Sequence, residues 1–267
     1  MSEPASPDLE VREDGAAREL RAAELSALPT TAMARQLPGL TLDRAYRIQQ
    51  LGTDLRLAAG ARAVGHKIGL TSVAMQQQMG VSEPDSGVLF ADMEVPCGGD
   101  LVVGRLLAPR VEAEIAFRLG ADLCGQEIDV GAARAAVSEV FLALEVIDTR
   151  YGGWQISLAD SVADNASAAR FVLGPAAPAD SLRDLGGERV DVETDGAPSA
   201  FGHGRDVLGD PLRPLVWLAR RLAALGGGLR AGDVVLPGSV HASLPLRAGT
   251  TVRAFSQHLP PVWFRAL

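Results

Sequence analysis

Two nearly apolar stretches, residues 110–117 and 140–147, set the terms on which this chain can fold. The second, Val140-Phe141-Leu142-Ala143-Leu144-Glu145-Val146-Ile147, reads as a strand buried on both faces, yet it contains Glu145. The first, read as a strand, sends Glu112 and Glu114 to one face and Val111, Ala113 and Ile115 to the other. A buried carboxylate costs several kcal/mol unless something compensates it, and neighbouring carboxylates repel as well. Two arrangements resolve the conflict around Glu112 and Glu114. Either the strand lies at a sheet edge with its polar face in water, or a hard divalent cation such as Mg²⁺ collects the oxygens. Zn²⁺ suits the set less well, because no His or Cys lies near these carboxylates in sequence.

The remainder of the chain can support such burial. Its 267 residues, 47% of them hydrophobic, suffice for a sizeable core. A net charge of −8 argues against nucleic acid or an anionic membrane surface as partner. Cys97 and Cys124 lack metal-ligand or redox spacing and read as reduced thiols of a cytoplasmic protein. The first residues lack the basic and apolar regions of a signal peptide, and no apolar run is long enough for a transmembrane helix.

Residues 1–14, polar and Pro-containing, are expected to be a disordered tail. Residues 15–62 are expected to be helical, as one unit with a β-rich catalytic part over 63–267. Within the helical part, 15–36 is rich in helix formers, Thr41 is a credible N-cap, and Gly60 is a stop. Ser72 is placed to open a short helix closed by Gly80. From residue 88 onward short apolar runs alternate with Gly and Pro, with helices expected over 129–138 and from Asp210-Pro211 to Gly226.

Three further segments carry chemistry. Lys67 stands in Gly65-His66-Lys67-Ile68-Gly69, where a glycine-bracketed strand end would let it approach a substrate closely; otherwise it is a surface lysine. Asp160-Ser161-Val162-Ala163-Asp164-Asn165-Ala166-Ser167 reads either as the lining of a polar pocket or as a capped turn. Gly238-Ser239-Val240-His241-Ala242 follows an apolar strand and could offer backbone N–H groups and a hydroxyl to an anion. The four histidines are scattered, with no recognisable triad, and no phosphate-cradling or dinucleotide-binding glycine motif occurs.

Taken in order, five motifs give the chain a family resemblance. They are Gly65-His66-Lys67-Ile68-Gly69-Leu70-Thr71, Pro84-Asp85-Ser86-Gly87-Val88-Leu89, Arg110-Val111-Glu112-Ala113-Glu114-Ile115-Ala116-Phe117, Ala143-Leu144-Glu145-Val146-Ile147-Asp148 and Val162-Ala163-Asp164-Asn165-Ala166-Ser167. From about residue 20 to the C-terminus the chain resembles the 2-keto-4-pentenoate hydratase / 4-oxalocrotonate decarboxylase family of the fumarylacetoacetate hydrolase superfamily.

The resemblance implies an α+β fold: a fumarylacetoacetate-hydrolase-like mixed β-roll core with flanking helices and a helical N-terminal portion. It implies Mg²⁺ or Mn²⁺ held by Glu112, Glu114 and Glu145, with Lys67 and Asp85 transferring protons. Asp164, Asn165 and Ser167 would position substrate or water, Ser239 would lie near the substrate carboxylate, and Leu89 would line the substrate site. The implied activity is hydration of a 2-hydroxy-2,4-dienoate to a 4-hydroxy-2-oxo acid in aromatic meta-cleavage catabolism. Decarboxylation of 2-oxo-3-hexenedioate on the same scaffold is the alternative. Fumarylacetoacetate-type C–C hydrolysis is less favoured, because no His stands near Glu112 in sequence to activate a water. A catalytically silent partner subunit is the non-enzymatic alternative. The implied partners are a 2-oxo acid substrate, further copies of the chain and, by family habit, a hydratase–decarboxylase complex. Gly238-Ser239-Val240-His241-Ala242 departs from the family's usual forms at a segment expected to touch the substrate's distal end.

Overall fold

The computed structural model describes residues 7–72, 76–77, 82–125, 127–179 and 184–267. Its spine is the antiparallel pair β4 (Arg110–Leu119) and β5 (Val137–Ile147), registered from Arg110↔Ile147 to Leu119↔Val137. Around it an eight-stranded sheet runs in the order β2 (Asp85–Phe90), β1 (Ala63–Gly69), β10 (Val234–Leu236), β4, β5 and β6 (Ala168–Leu173). Two short strands complete it: β11 (Leu244–Pro245) pairs with β4, and β7 (Ala177–Pro178) with β5. A second sheet has the order β3 (Asp100–Leu101), β13 (Val262–Ala266), β12 (Thr251–Ser256), β8 (Arg189–Thr194) and β9 (Ala197–His203).

Alternation along the spine sorts its residues. Val111, Ala113, Ile115 and Phe117 of β4, with Leu142, Leu144 and Val146 of β5, join the main core. That core includes Val190, Val252 and Phe264 of the second sheet and Leu215 and Leu218 of helix α6 (Leu212–Ala224). The opposite face is apolar at one end, where Ala116, Phe141 and Ala143 pack with Leu89, Phe90, Phe171 and Leu236. Two residues further along the same face come the three glutamates. The edge-strand alternative is thereby excluded, since β4 lies between β10 and β5.

The helical N-terminal portion consists of α1 (Pro7–Ser26), α2 (Met33–Gln36) and α3 (Leu42–Ala58). The expected tail over 1–14 is corrected: helix begins at Pro7, a residue tolerated in a first turn. Glu13, inside that stretch, is buried against Arg44 and Arg47 of α3, so cross-helix ion pairs hold a segment whose composition reads as solvated. Residues 1–6 of the expected tail lie outside the described residues, as does most of the helix expected between Ser72 and Gly80. The helix expected over 15–36 is interrupted where Ala27 takes φ +52°, and α2 follows as a short separate turn. Thr41 caps α3 by accepting from Arg44 N–H, and Gly60 at φ +89° follows its end. Helix α4 (Val130–Ala136) starts on an Asp129 cap, and α5 (Leu158–Ala163) on a Ser157–Asp160 capping box. Val162 and Ala163 of α5 pack with Ala17, Leu20, Ala45 and Ile48, which ties the N-terminal helices to the site-side turn after α5.

Candidate active site

The register that pairs Glu112 with Glu145 also sets Glu114 opposite Ala143, so three carboxylates meet on one face of two neighbouring strands. One oxygen from each of Glu112, Glu114 and Glu145 lies within 4.8 Å of the others. Glu114 and Glu145 are fully buried, and Glu112 is partly exposed at the mouth. Lys67 comes from β1, whose partners Leu236 and Gly87 share this face. It is 4% exposed, and its Nζ lies 3.4 Å from Glu145 Oε1, so the surface-lysine reading is corrected. Asp85, also buried, pairs with Gly69 across β1–β2. A Cβ at Gly69 would stand 2.2 Å from Asp85 Oδ1 and 3.6 Å from Lys67 Nζ. The absence of a side chain there makes room for the Asp85 carboxyl.

The electrostatics are those of a negative cluster out of water. Burial, reinforced by Glu145, pushes Glu112 up to about 7. Burial pushes Glu114 well above the carboxylate range, with Glu145 and Glu112 adding to the effect. Burial also raises Glu145, against the pull of Lys67, and raises Asp85. For Lys67, burial favours the neutral amine, but Glu145 and Asp85 outweigh it and keep the ammonium. Glu114 Oε1, both oxygens of Glu145 and Asp85 Oδ1 are buried without a hydrogen-bond partner. Buried polar atoms are normally satisfied. Orphaned oxygens converging on one point, with oxygen-only donors, fit a hard divalent cation of the Mg²⁺ or Mn²⁺ kind.

The loop between β10 and β11 closes one side. Gly238 N–H donates to Glu114 Oε2 at 2.7 Å, so the anion expected at this turn is the protein's own carboxylate. Gly238 sits at φ +119°, where a Cβ would lie 1.8 Å from Thr71 Oγ1. Ser239, expected near a substrate carboxylate, donates its hydroxyl to His241 O at 2.7 Å and so stiffens the loop. The expectation that no His approaches the Glu112 region holds in sequence but not in space. His241 Nε2 accepts from Ala113 N–H at 3.1 Å, and Nδ1 faces Ala242 O at 2.8 Å. With both ring nitrogens engaged, the imidazole has no free lone pair with which to activate a water.

The segment after α5 lies on the opposite flank. Asp164 accepts from Arg150 N–H at 2.9 Å and from its guanidinium, which also donates to the Asp164 and Ala168 carbonyls. Burial raises Asp164 to about 6 against the pull of Arg150. Asn165 accepts from Val88 N–H at 2.8 Å and donates to Val88 O at 2.9 Å. Ser167 Oγ lies 3.2 Å from Ser161 Oγ. Asp164 and Asn165, expected to hold substrate or water, have these polar atoms hydrogen-bonded to Arg150 and to β2. Leu89 lies on the same face of β2 as Asp85, within the apolar cluster beside the site. Arg150, three residues beyond β5, escaped the sequence reading.

Residues 65–262 match the fumarylacetoacetate (FAA) hydrolase C-terminal family. The chain belongs to this family. It is 41% identical over 238 residues to a 2-keto-4-pentenoate hydratase of Burkholderia vietnamiensis, covering 89% of this chain and 91% of that one. It is 42% identical over 216 residues to the TodF product hydratase of Pseudomonas putida, covering 80% and 81% of the two chains. Among solved structures it superposes on the 4-oxalocrotonate decarboxylase from Pseudomonas putida G7, complexed with magnesium and adipate, with TM-score 0.94, 32% identity and full coverage of both chains. The fumarylpyruvate hydrolase from Pseudomonas aeruginosa, complexed with Mn²⁺ and pyruvate, shares the fold at TM-score 0.60 and 17% identity, over 77% of this chain and 89% of that one. The expected α+β fold of this superfamily is therefore the observed one.

Proposed function

We propose that this chain is a metal-dependent hydro-lyase that adds water to a 2-hydroxy-2,4-dienoate of the 2-keto-4-pentenoate type, giving a 4-hydroxy-2-oxo acid, in aromatic meta-cleavage catabolism. The observation that carries the reading is the convergence of Glu112, Glu114 and Glu145 with unsatisfied oxygens beside a buried Lys67. That site lies in a chain about two-fifths identical to hydratases over most of its length. Glu112, Glu114 and Glu145 would hold Mg²⁺ or Mn²⁺. Bound there, the cation would supply Lewis acidity toward a 2-oxo acid substrate.

The chain's own residues supply the proton traffic. The substrate must first move a proton from its 2-hydroxyl to C5, and the conjugated ketone so formed then accepts water at C4. Lys67, buried and kept as an ammonium between Glu145 and Asp85, is the proton donor. Asp85, raised by burial and with Oδ1 unpartnered, is the complementary group, taking up a proton from one position and returning it at another. Leu89, Phe141 and Leu236 form the apolar cluster that packs beside the site. Asp164, Asn165 and Ser167 fix the turn that borders β2, and Ser239 fixes the loop that borders Glu114.

The full-length superposition on a decarboxylase supports one alternative, loss of CO₂ from a 2-oxo-hexenedioate. The higher identity to hydratases favours hydration. Offering the Mg²⁺-loaded protein 2-hydroxypenta-2,4-dienoate and 2-oxo-3-hexenedioate separately decides between them. The expected result is loss of the dienoate's absorbance with formation of 4-hydroxy-2-oxopentanoate. Faster CO₂ release from the diacid would reverse the assignment. A cytoplasmic homo-oligomer, able to associate with a decarboxylase of the same scaffold, completes the proposal. Among the described residues no helix is long and apolar enough to cross a membrane.

A further inference from the structure

The residue between the two metal-ligand candidates of β4, Ala113, is fully buried, and its backbone faces away from β5 toward the loop that joins β10 to β11. On the β5 side the strand is fixed by the pairs Glu112↔Glu145 and Glu114↔Ala143. On the other side no ladder exists at this point. The pairing of β10 ends with Val235↔Phe117, and that of β11 begins at Leu244↔Val111. In the gap the loop grips β4 through several hydrogen bonds, a long one from Ser239 Oγ to Ala113 O at 3.5 Å among them. Gly238 N–H meets Glu114 Oε2 at 2.7 Å, Val240 N–H meets Ala113 O at 3.0 Å, and His241 Nε2 accepts from Ala113 N–H at 3.1 Å. The imidazole therefore takes the place that a strand's carbonyl would occupy. An N–H donor opposite Nε2 requires the lone pair there, which leaves the ring proton on Nδ1, where Ala242 O at 2.8 Å accepts it. Ser239 Oγ locks the loop by donating to His241 O at 2.7 Å.

We infer that His241 is a positioning residue of the metal centre, holding Glu112 and Glu114 at their separation by accepting the Ala113 amide between them. The inference rests on the proposed metal role of these glutamates. It differs from a general role in stability, because the ring's hydrogen bond to β4 falls on the residue between the two ligands. Groups that orient metal ligands affect metal affinity even when they never touch the ion.

The test is a Mn²⁺ titration of the metal-stripped full-length protein, followed by electron paramagnetic resonance, for the wild type, His241→Leu and His241→Gln. Leucine fills the space without an acceptor and is expected to weaken Mn²⁺ binding by about 10-fold or more. Glutamine offers a carbonyl oxygen to the same N–H and is expected to recover most of that loss. If His241→Leu binds Mn²⁺ within about twofold of wild type, whatever its melting temperature, the role is only structural and the inference is overturned. A glutamine variant as weak as the leucine variant also overturns it, since an acceptor would then not be what the ring contributes. Should the leucine variant not fold, single-residue hydrogen exchange on the wild type decides. Ala113 N–H must be as protected as its strand neighbours, and rapid exchange there contradicts the account. A wild type that binds no Mn²⁺ brings down the metal reading itself, a distinct outcome from the variants matching a wild type that does bind.

Discussion

Neutralising one glutamate of the cluster is expected to strengthen the metal-free fold while removing the metal. Burial and the adjacent Glu145 hold the Glu112 carboxyl at about 7, against 4.5 for the free group. The folded metal-free protein thus keeps a proton that the unfolded chain releases. The associated stability is fully present below about pH 4.5 and is lost as the pH rises through about 7. Across that window the shift corresponds to about 3 kcal/mol. Glu112 is partly exposed at the mouth of the site, and its loss also deprives Lys67 of a favourable charge, so the net gain in Glu112→Gln is about 1–3 kcal/mol at pH 8. For a chain of this size that is a rise in melting temperature of about 2–5 °C. The assay is thermal unfolding in EDTA at pH 5 and pH 8. The variant should melt above the wild type at pH 8, with the gap closing toward pH 5. Saturating Mn²⁺ should reverse the order, because ligand binding stabilises only the form that binds it. A variant that melts at or below the wild type at pH 8 in EDTA would refute the picture of a self-repelling buried cluster.

Three other outcomes follow from the geometry. Lys67→Met should lower kcat by about 10²–10⁴-fold while leaving Mn²⁺ binding in place, as read by stopped-flow turnover beside paramagnetic titration. Arg150→Ala should destabilise the protein by about 3–5 kcal/mol in urea unfolding, because it leaves the buried Asp164 carboxylate without its partner. An effect under about 1 kcal/mol would remove that pair from the account. Gly238→Ala, which forces a Cβ to 1.8 Å from Thr71 Oγ1 at φ +119°, should cost about 2–5 kcal/mol of stability and disturb the N–H that Glu114 accepts. Unchanged urea midpoints would show that the loop relaxes freely.

What the sequence makes legible is the part governed by alternation. The placement of Glu112 and Glu114 on one face, the burial of the strand carrying Glu145, and the caps at Thr41 and Asp129 all follow from local rules. The register that sets Glu145 opposite Glu112 is a long-range pairing that no local pattern encodes. The ordered motifs pointed to it only through family resemblance. The partners of Asp164 and Asn165 were equally hidden. Asp164 is held by Arg150 and Asn165 by Val88 of β2, partners that the pattern of the segment itself does not name. The helix over residues 7–14 was missed because ion pairs from Glu13 to Arg44 and Arg47 stabilise a segment whose composition alone favours water. His241 was invisible for the same reason: 128 residues separate it from the amide it accepts.

The central claim is that Glu112, Glu114 and Glu145 bind the ion that makes hydration possible. The most direct measurement is turnover of 2-hydroxypenta-2,4-dienoate by the metal-stripped wild type and by Glu114→Gln, before and after titration with Mg²⁺. The wild type should be inactive without metal, recover saturably on addition and form 4-hydroxy-2-oxopentanoate without CO₂, while Glu114→Gln should stay inactive at every Mg²⁺ concentration. Full turnover by the stripped wild type, or recovery of Glu114→Gln at the wild-type metal concentration, would contradict it.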